Sequence, residues 1–146
     1  MGAGGVDEVL CDVVVTRGAQ TSGGTGVDLV SLYGKLLEDR SPRVEVTVDL
    51  RAGSTSADVV PPATGQIGGY EQHRLIGNLS WVFHGTPVAD RASAITGGPV
   101  RAWTYAGNDS VTATDRADFV NAGDGIDVVW GRGGADTCRN AERGTC

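Results

Sequence analysis

Residues 104–139 read, in blocks of nine, TYAGNDSVT, ATDRADFVN, AGDGIDVVW and GRGGADTCR. Asp109, Asp118, Asp127 and Asp136 hold the same place in each block, and two residues on stand Val111, Val120, Val129 and Cys138. Given the chain's own composition, four such acids and four such small apolar residues in phase are expected about 3 × 10⁻⁵ times by chance. The period is therefore real. Each block divides into a glycine-rich turn and a very short strand. The apolar residue of that strand points inward and its neighbours point out.

The same frame recurs toward the N-terminus. Gly23-Gly24-Thr25-Gly26-Val27-Asp28-Leu29-Val30-Ser31 matches G-G-x-G-x-D-x-U-x at every defined position, and Gly2-Ala3-Gly4-Gly5-Val6-Asp7-Glu8-Val9-Leu10 misses only the second glycine. On these residues the chain resembles the hemolysin-type (RTX) calcium-binding repeat proteins. The resemblance is strong over 104–138 and good at 2–10 and 23–31. Looser echoes are Val48-Asp49-Leu50-Arg51-Ala52-Gly53, Gly85-Thr86-Pro87-Val88-Ala89-Asp90 and the closing Asp136-Thr137-Cys138…Cys146.

The resemblance implies an all-β chain forming a right-handed parallel β-roll, or β-solenoid, with irregular coils before the regular repeats. Two nonapeptides make one coil, so turns eighteen residues apart stack. Asp109 is then expected over Asp127 on one edge, and Asp118 over Asp136 on the other. Expected organisation is one solenoid domain: N-terminal repeat coils (1–31), irregular coils and loops (32–103), tandem nonapeptides (104–139) and a C-terminal cap (140–146). A small β-sandwich inserted before the repeats is the rival arrangement.

Stacked carboxylates repel, and turn carbonyls add further oxygens, so such an edge suits a hard cation with six to eight oxygen ligands. That is Ca2+ rather than zinc or magnesium. Expected ligands are the carboxylates of Asp109, Asp127, Asp118 and Asp136, with Asp124 as a further carboxylate, and backbone carbonyls at Gly107, Gly123, Gly125 and Gly134. Asp28 and Asp7 belong to the isolated N-terminal repeats. The best-formed edge is 106–109 with 123–127. The other is weaker: residues 113–116 carry no glycine where the pattern has three, and Arg116 and Arg132 intrude. Asp90, nineteen residues before Asp109, reads as out of phase.

Composition agrees with strands and turns. Glycine is 23 of 146 residues, and 13 Asp stand against 5 Glu, favouring tight turns over helix surfaces. A net charge of −6 with Lys35 as the one lysine argues against a nucleic-acid partner. No apolar run approaches the ~20 residues of a membrane-spanning helix. No signal peptide is visible at the N-terminus, and an extracellular location is expected from the resemblance alone. Cys138 and Cys146 bridge in an oxidising compartment or remain two thiols; Cys11 is left over.

No enzyme motif competes with this reading. There is no G-x-S-x-G elbow, P-loop or dinucleotide fingerprint, and His73 and His84 read as surface or edge residues. The expected function is calcium binding coupled to folding of a secreted, non-enzymatic module. Its alternatives are a metal-free solenoid binding a glycan or a surface partner, and a detached repeat region of a larger secreted enzyme. Trp81, Trp103 and Trp130 are candidates for a glycan platform. Residues 44–50 and 79–83 read as strands, 12–16 as a further strand, and 53–69 as a loop. Residues 29–37 read as strand and turn, or as a helix face.

Overall fold

Short β-branched runs separated by glycine-rich turns favour strands that pair across coils. The computed structural model, which describes residues 8–12, 20–23, 27–33, 44–58 and 63–146, is all-β. Strands run β1 (Glu8–Asp12), β2 (Gln20–Ser22), β3 (Leu29–Tyr33), β4 (Glu45–Asp49), β5 (Ser54–Ala57), β6 (Ala63–Gly68), β7 (Gln72–Ile76) and β8 (Ser80–His84). They continue with β9 (Arg91–Thr96), β10 (Val100–Trp103), β11 (Ser110–Thr112), β12 (Phe119–Asn121), β13 (Val128–Trp130), β14 (Thr137–Arg139) and β15 (Arg143–Thr145).

The strands form two sheets, ordered β1-β3-β7-β9-β11-β13-β15 and β14-β12-β10-β8-β4-β5-β6-β2. From β7 onward the chain alternates between the sheets at every strand; β7 and β8 pair in parallel with β3 and β4, and from β9 each strand pairs in parallel with the one two before it. The nine-residue period sets the register. Val111 pairs with Val129, and Val120 with Cys138, each eighteen residues apart.

Between the sheets lies a thin core. Val30, Val111, Val120 and Val129 are buried, and Cys138 packs against them partly buried, so the apolar positions of the repeat face inward as expected. The larger side chains fill the middle, where Leu32, Leu75, Leu79, Trp81 and Phe83 replace the small residues of the repeats. Deviations from the nine-residue phase are absorbed locally. Opposite Leu75 stands Ala94, but opposite Ile76 stands Thr96, and this bulge takes up the extra residue between Asp90 and Val100. Asp90 is therefore in step with Asp109 rather than out of phase.

Two further expectations change. Residues 53–69 are not a loop: β5 pairs antiparallel with β4, and β6 antiparallel with β5, inserting a meander into the larger sheet. Ala57, Ala63 and Ile67 supply its buried face, and Gly53 at φ 63° makes the first turn. Small residues hid this apolar alternation. Residues 29–33 are strand, the first of the two readings given for 29–37; 34–37, like 13–16, lie outside the described residues. His73 is a core residue, 1% exposed and tilted against Phe83, because its place on β7 points between the sheets.

The outer face of the larger sheet carries an aromatic row. His84 stacks on Trp103, Trp103 tilts onto Phe119, and the guanidinium of Arg139 lies over Phe119. Such cross-strand rows stabilise neighbouring rungs. The three tryptophans share no face: Trp81 is in the core, Trp103 is on the larger sheet and Trp130 is on the smaller one.

Candidate functional site: an acidic ladder on one edge

A strand preceded by a short acid places that carboxylate at the sheet edge, where backbone N–H groups need acceptors. Among the described residues, an aspartate or a glutamate stands there at six strands of the smaller sheet. Asp28, Glu71, Asp90, Asp109, Asp127 and Glu142 each stand one residue before β3, β7, β9, β11, β13 and β15. Across neighbouring rungs the carboxylates cap the preceding backbone. Asp127 Oδ1 accepts the N–H of Asp109 at 2.8 Å, Asp109 Oδ1 accepts that of Asp90 at 2.8 Å, and Glu142 Oε2 accepts that of Asp127 at 2.8 Å. Glu71 Oε2 does the same for Asp28 at 2.8 Å.

The ladder joins residues that the nonapeptide pattern singles out, Asp28, Asp109 and Asp127, to three it does not. Asp90 looked displaced in sequence. Glu71 and Glu142 lie outside the Gly/Asp frame, and the longer glutamate arm makes the same capping bond. The one signal for them is an acid directly ahead of an alternating or terminal strand segment. Asp7 lies outside the described residues.

The glycines of the best-formed edge bring the turns into contact. Gly107 N–H donates to the Asp124 carbonyl at 2.9 Å, and Asp124 N–H donates to the Tyr105 carbonyl at 2.9 Å. Gly123 (φ 98°) and Gly125 (φ 152°) adopt conformations that disfavour a side chain, and a Cβ on Gly125 would overlap the Gly107 carbonyl oxygen. The expected stacking of 106–109 on 123–127 is present. The Asp124 side chain is exposed at the tip, while Asp109 and Asp127 are buried. Among the described residues no three Asp, Glu, His or Cys side chains converge as a metal cluster, so an ion on this edge would depend on one or two carboxylates and on backbone oxygens.

Two oxygens on this edge have no hydrogen-bond partner. Asp109 and Asp127 are 2% and 0% exposed, and the Oδ2 of each is buried and unpaired. The Thr104 hydroxyl approaches Asp109, but its proton goes to the Ala122 carbonyl at 2.7 Å. Burial pushes the Asp109 carboxyl up to about 6. The N–H of Asp90 opposes that shift, and the charges of Asp90 and Asp127 add to it. Buried, unpaired carboxylate oxygens are costly and call for a counter-charge.

The opposite edge differs. Asp136 Oδ1 caps Asp118 N–H at 2.9 Å, in the stacking that the resemblance implies. Asp118, however, is fully engaged. Its Oδ1 accepts Val100 N–H at 2.6 Å, and its Oδ2 accepts Thr114 N–H at 2.8 Å and the Thr114 hydroxyl at 2.9 Å. Asp90 is held the same way by the N–H and hydroxyl of Thr86. Its pKa is raised by burial, and the two Thr86 bonds offset that shift. Gly134, with φ 119°, stacks on the Arg116 carbonyl.

Beyond this edge the last rung is closed by a Cys138–Cys146 disulfide. No protein-family model, curated protein or solved structure matches the chain.

Proposed function

We propose that the chain is a right-handed β-roll that binds Ca2+ on the edge built by 104–109 and 122–127, and that the ion stabilises the folded module. The observation that carries this reading is the pair of buried, unpartnered oxygens, Asp109 Oδ2 and Asp127 Oδ2, on successive stacked turns. The donor set fits: carboxylate and carbonyl oxygens on glycine turns suit a hard, irregularly coordinated cation. When bound, calcium supplies the positive charge that this edge lacks. Asp109 and Asp127 would hold it with one oxygen each while their Oδ1 atoms keep capping the rungs. Gly107, Gly123 and Gly125 keep the turns close enough for carbonyls to contribute.

The thin core makes such coupling effective. A site with a dissociation constant near ~0.1 mM, at ~1 mM calcium, adds about 1.4 kcal/mol to folding, a sizeable share of a marginal domain's stability. The Cys138–Cys146 disulfide supports an oxidising, extracellular setting. In this reading the module is structural rather than catalytic, whether it acts alone or as part of a larger secreted protein.

Calorimetric titration of the full chain with calcium, alongside thermal melts in calcium and in chelator, tests the proposal. Binding heat and a higher Tm in calcium are expected. No heat and superimposable melts would sink it, leaving a metal-free solenoid.

A further inference from the structure

The aspartate turns of this chain fall into two conformational classes. In turns 105–109, 123–127 and 132–136, the residue four before the aspartate (Tyr105, Gly123, Arg132) and the glycine two before it (Gly107, Gly125, Gly134) all have positive φ. In turns 86–90 and 114–118 neither place does; the residue four before is threonine, and the residues two before are Val88 and Arg116.

Side-chain bonding divides Asp90 and Asp118 from Asp109 and Asp127 in the same way. Thr86 and Thr114 each direct both a backbone N–H and a hydroxyl at the carboxylate that follows, so those anions are neutralised by protein donors. With the turn's first residue in the left-handed region, Asp109 and Asp127 receive no bond from Tyr105 or Gly123, and each keeps a buried oxygen without a partner. A carboxylate already accepting several N–H and O–H bonds has few lone pairs left for a cation, and displacing those donors would leave them buried and unsatisfied.

We infer that the residue four before each aspartate decides whether a turn takes an ion: threonine there closes the turn by standing in for calcium, whereas a left-handed residue leaves it open. The inference rests on the calcium-binding reading above and goes beyond it by assigning ions to one class of turn and excluding them from 86–90 and 114–118.

The chain offers its own control. Residues 113–118 are Ala-Thr-Asp-Arg-Ala-Asp and residues 122–127 are Ala-Gly-Asp-Gly-Ile-Asp. Thr114→Gly combined with Arg116→Gly therefore converts a closed turn into a near copy of an open one, stacked over the already open 132–136 turn.

Calcium calorimetry and melts in chelator on the full-length chain read the outcome. Expected are an unchanged ion count and an affinity within about twofold for Asp118→Asn, and one additional ion for the double glycine variant. Thr114→Val should lower the Tm equally with and without calcium. Loss of an ion in Asp118→Asn, or no gain in a folded double glycine variant, would overturn the threonine rule while leaving calcium binding intact. A wild-type chain that takes no calcium would overturn both.

Discussion

Asp127 accepts the backbone N–H of Asp109 through Oδ1 at 2.8 Å, across one eighteen-residue rung, and leaves its Oδ2 buried without a partner. One carboxylate thus has two tasks. It closes a backbone bond that the sheet ladder does not reach, and it presents an unsatisfied anion to the stacked turns.

Removing that carboxylate should therefore weaken the fold even without metal. Asp127→Ala leaves the Asp109 N–H, itself buried, without an acceptor, a loss of about 1–3 kcal/mol. Asp127→Asn keeps an acceptor and should cost less in chelator. Urea unfolding of both variants in chelator separates the capping role from the charge. Equal stability of Asp127→Ala and wild type would refute the first role.

Glycine substitutions in the repeats should differ sharply with position. At Gly125 a Cβ overlaps the Gly107 carbonyl and φ is 152°, so Gly125→Ala is expected to cost upwards of about 2 kcal/mol. At Gly133 the nearest atoms to a Cβ are those of Asp115 at 3.7 Å, an ordinary contact, and Gly133→Ala should change stability by under about 1 kcal/mol. Paired denaturation curves decide; similar losses at both positions would contradict the stacking.

Acid sensitivity should trace to His73. Burial lowers its pKa from 6.5 to about 4, with the nearby Arg91 backbone opposing the shift. The ring is neutral in both states above pH 6.5. As pH falls from 6.5 to 4 the unfolded chain takes up the proton first, so stability drops through that window by about 1 kcal/mol per unit. His73→Phe should flatten that slope relative to wild type. Comparing the two chains cancels the contribution of Asp109, whose raised pKa acts in the opposite direction. Unfolding free energies at pH 7 and 4.5 provide the check, and identical pH dependence would exclude His73 as the source.

Reduction of Cys138–Cys146 should destabilise the end of the molecule. Releasing a loop of eight-residue separation costs roughly 2–3 kcal/mol on the chain-entropy account. Hydrogen exchange should show the added opening at β14 and β15 first, since these are the terminal strands of their sheets. A uniform rise across all rungs would argue against local closure.

Much of the regular half was legible from residue order. A strict nine-residue phase makes turns and inward positions recur, so Val111, Val120 and Val129 could be placed in the core from spacing, while Asp109 over Asp127 followed from the resemblance. Where the phase breaks, that logic stops. The bulge that restores Asp90 to the ladder and the meander of β5 and β6 depend on which strand each segment finds as a neighbour. Glu71 and Glu142 join the acidic edge only because their strands dock there. His73 is buried because its strand packs against Phe83, a contact that no local pattern encodes.

Periodicity dictates which residues repeat, because strand alternation and glycine turns are local properties of the chain. Which carboxylate oxygens are satisfied was settled by folding. Asp118 and Asp127 share one place in the repeat, yet one is closed by Thr114 and the other is left open, because the backbone of the turn, and the rung stacked against it, determine where the donors point.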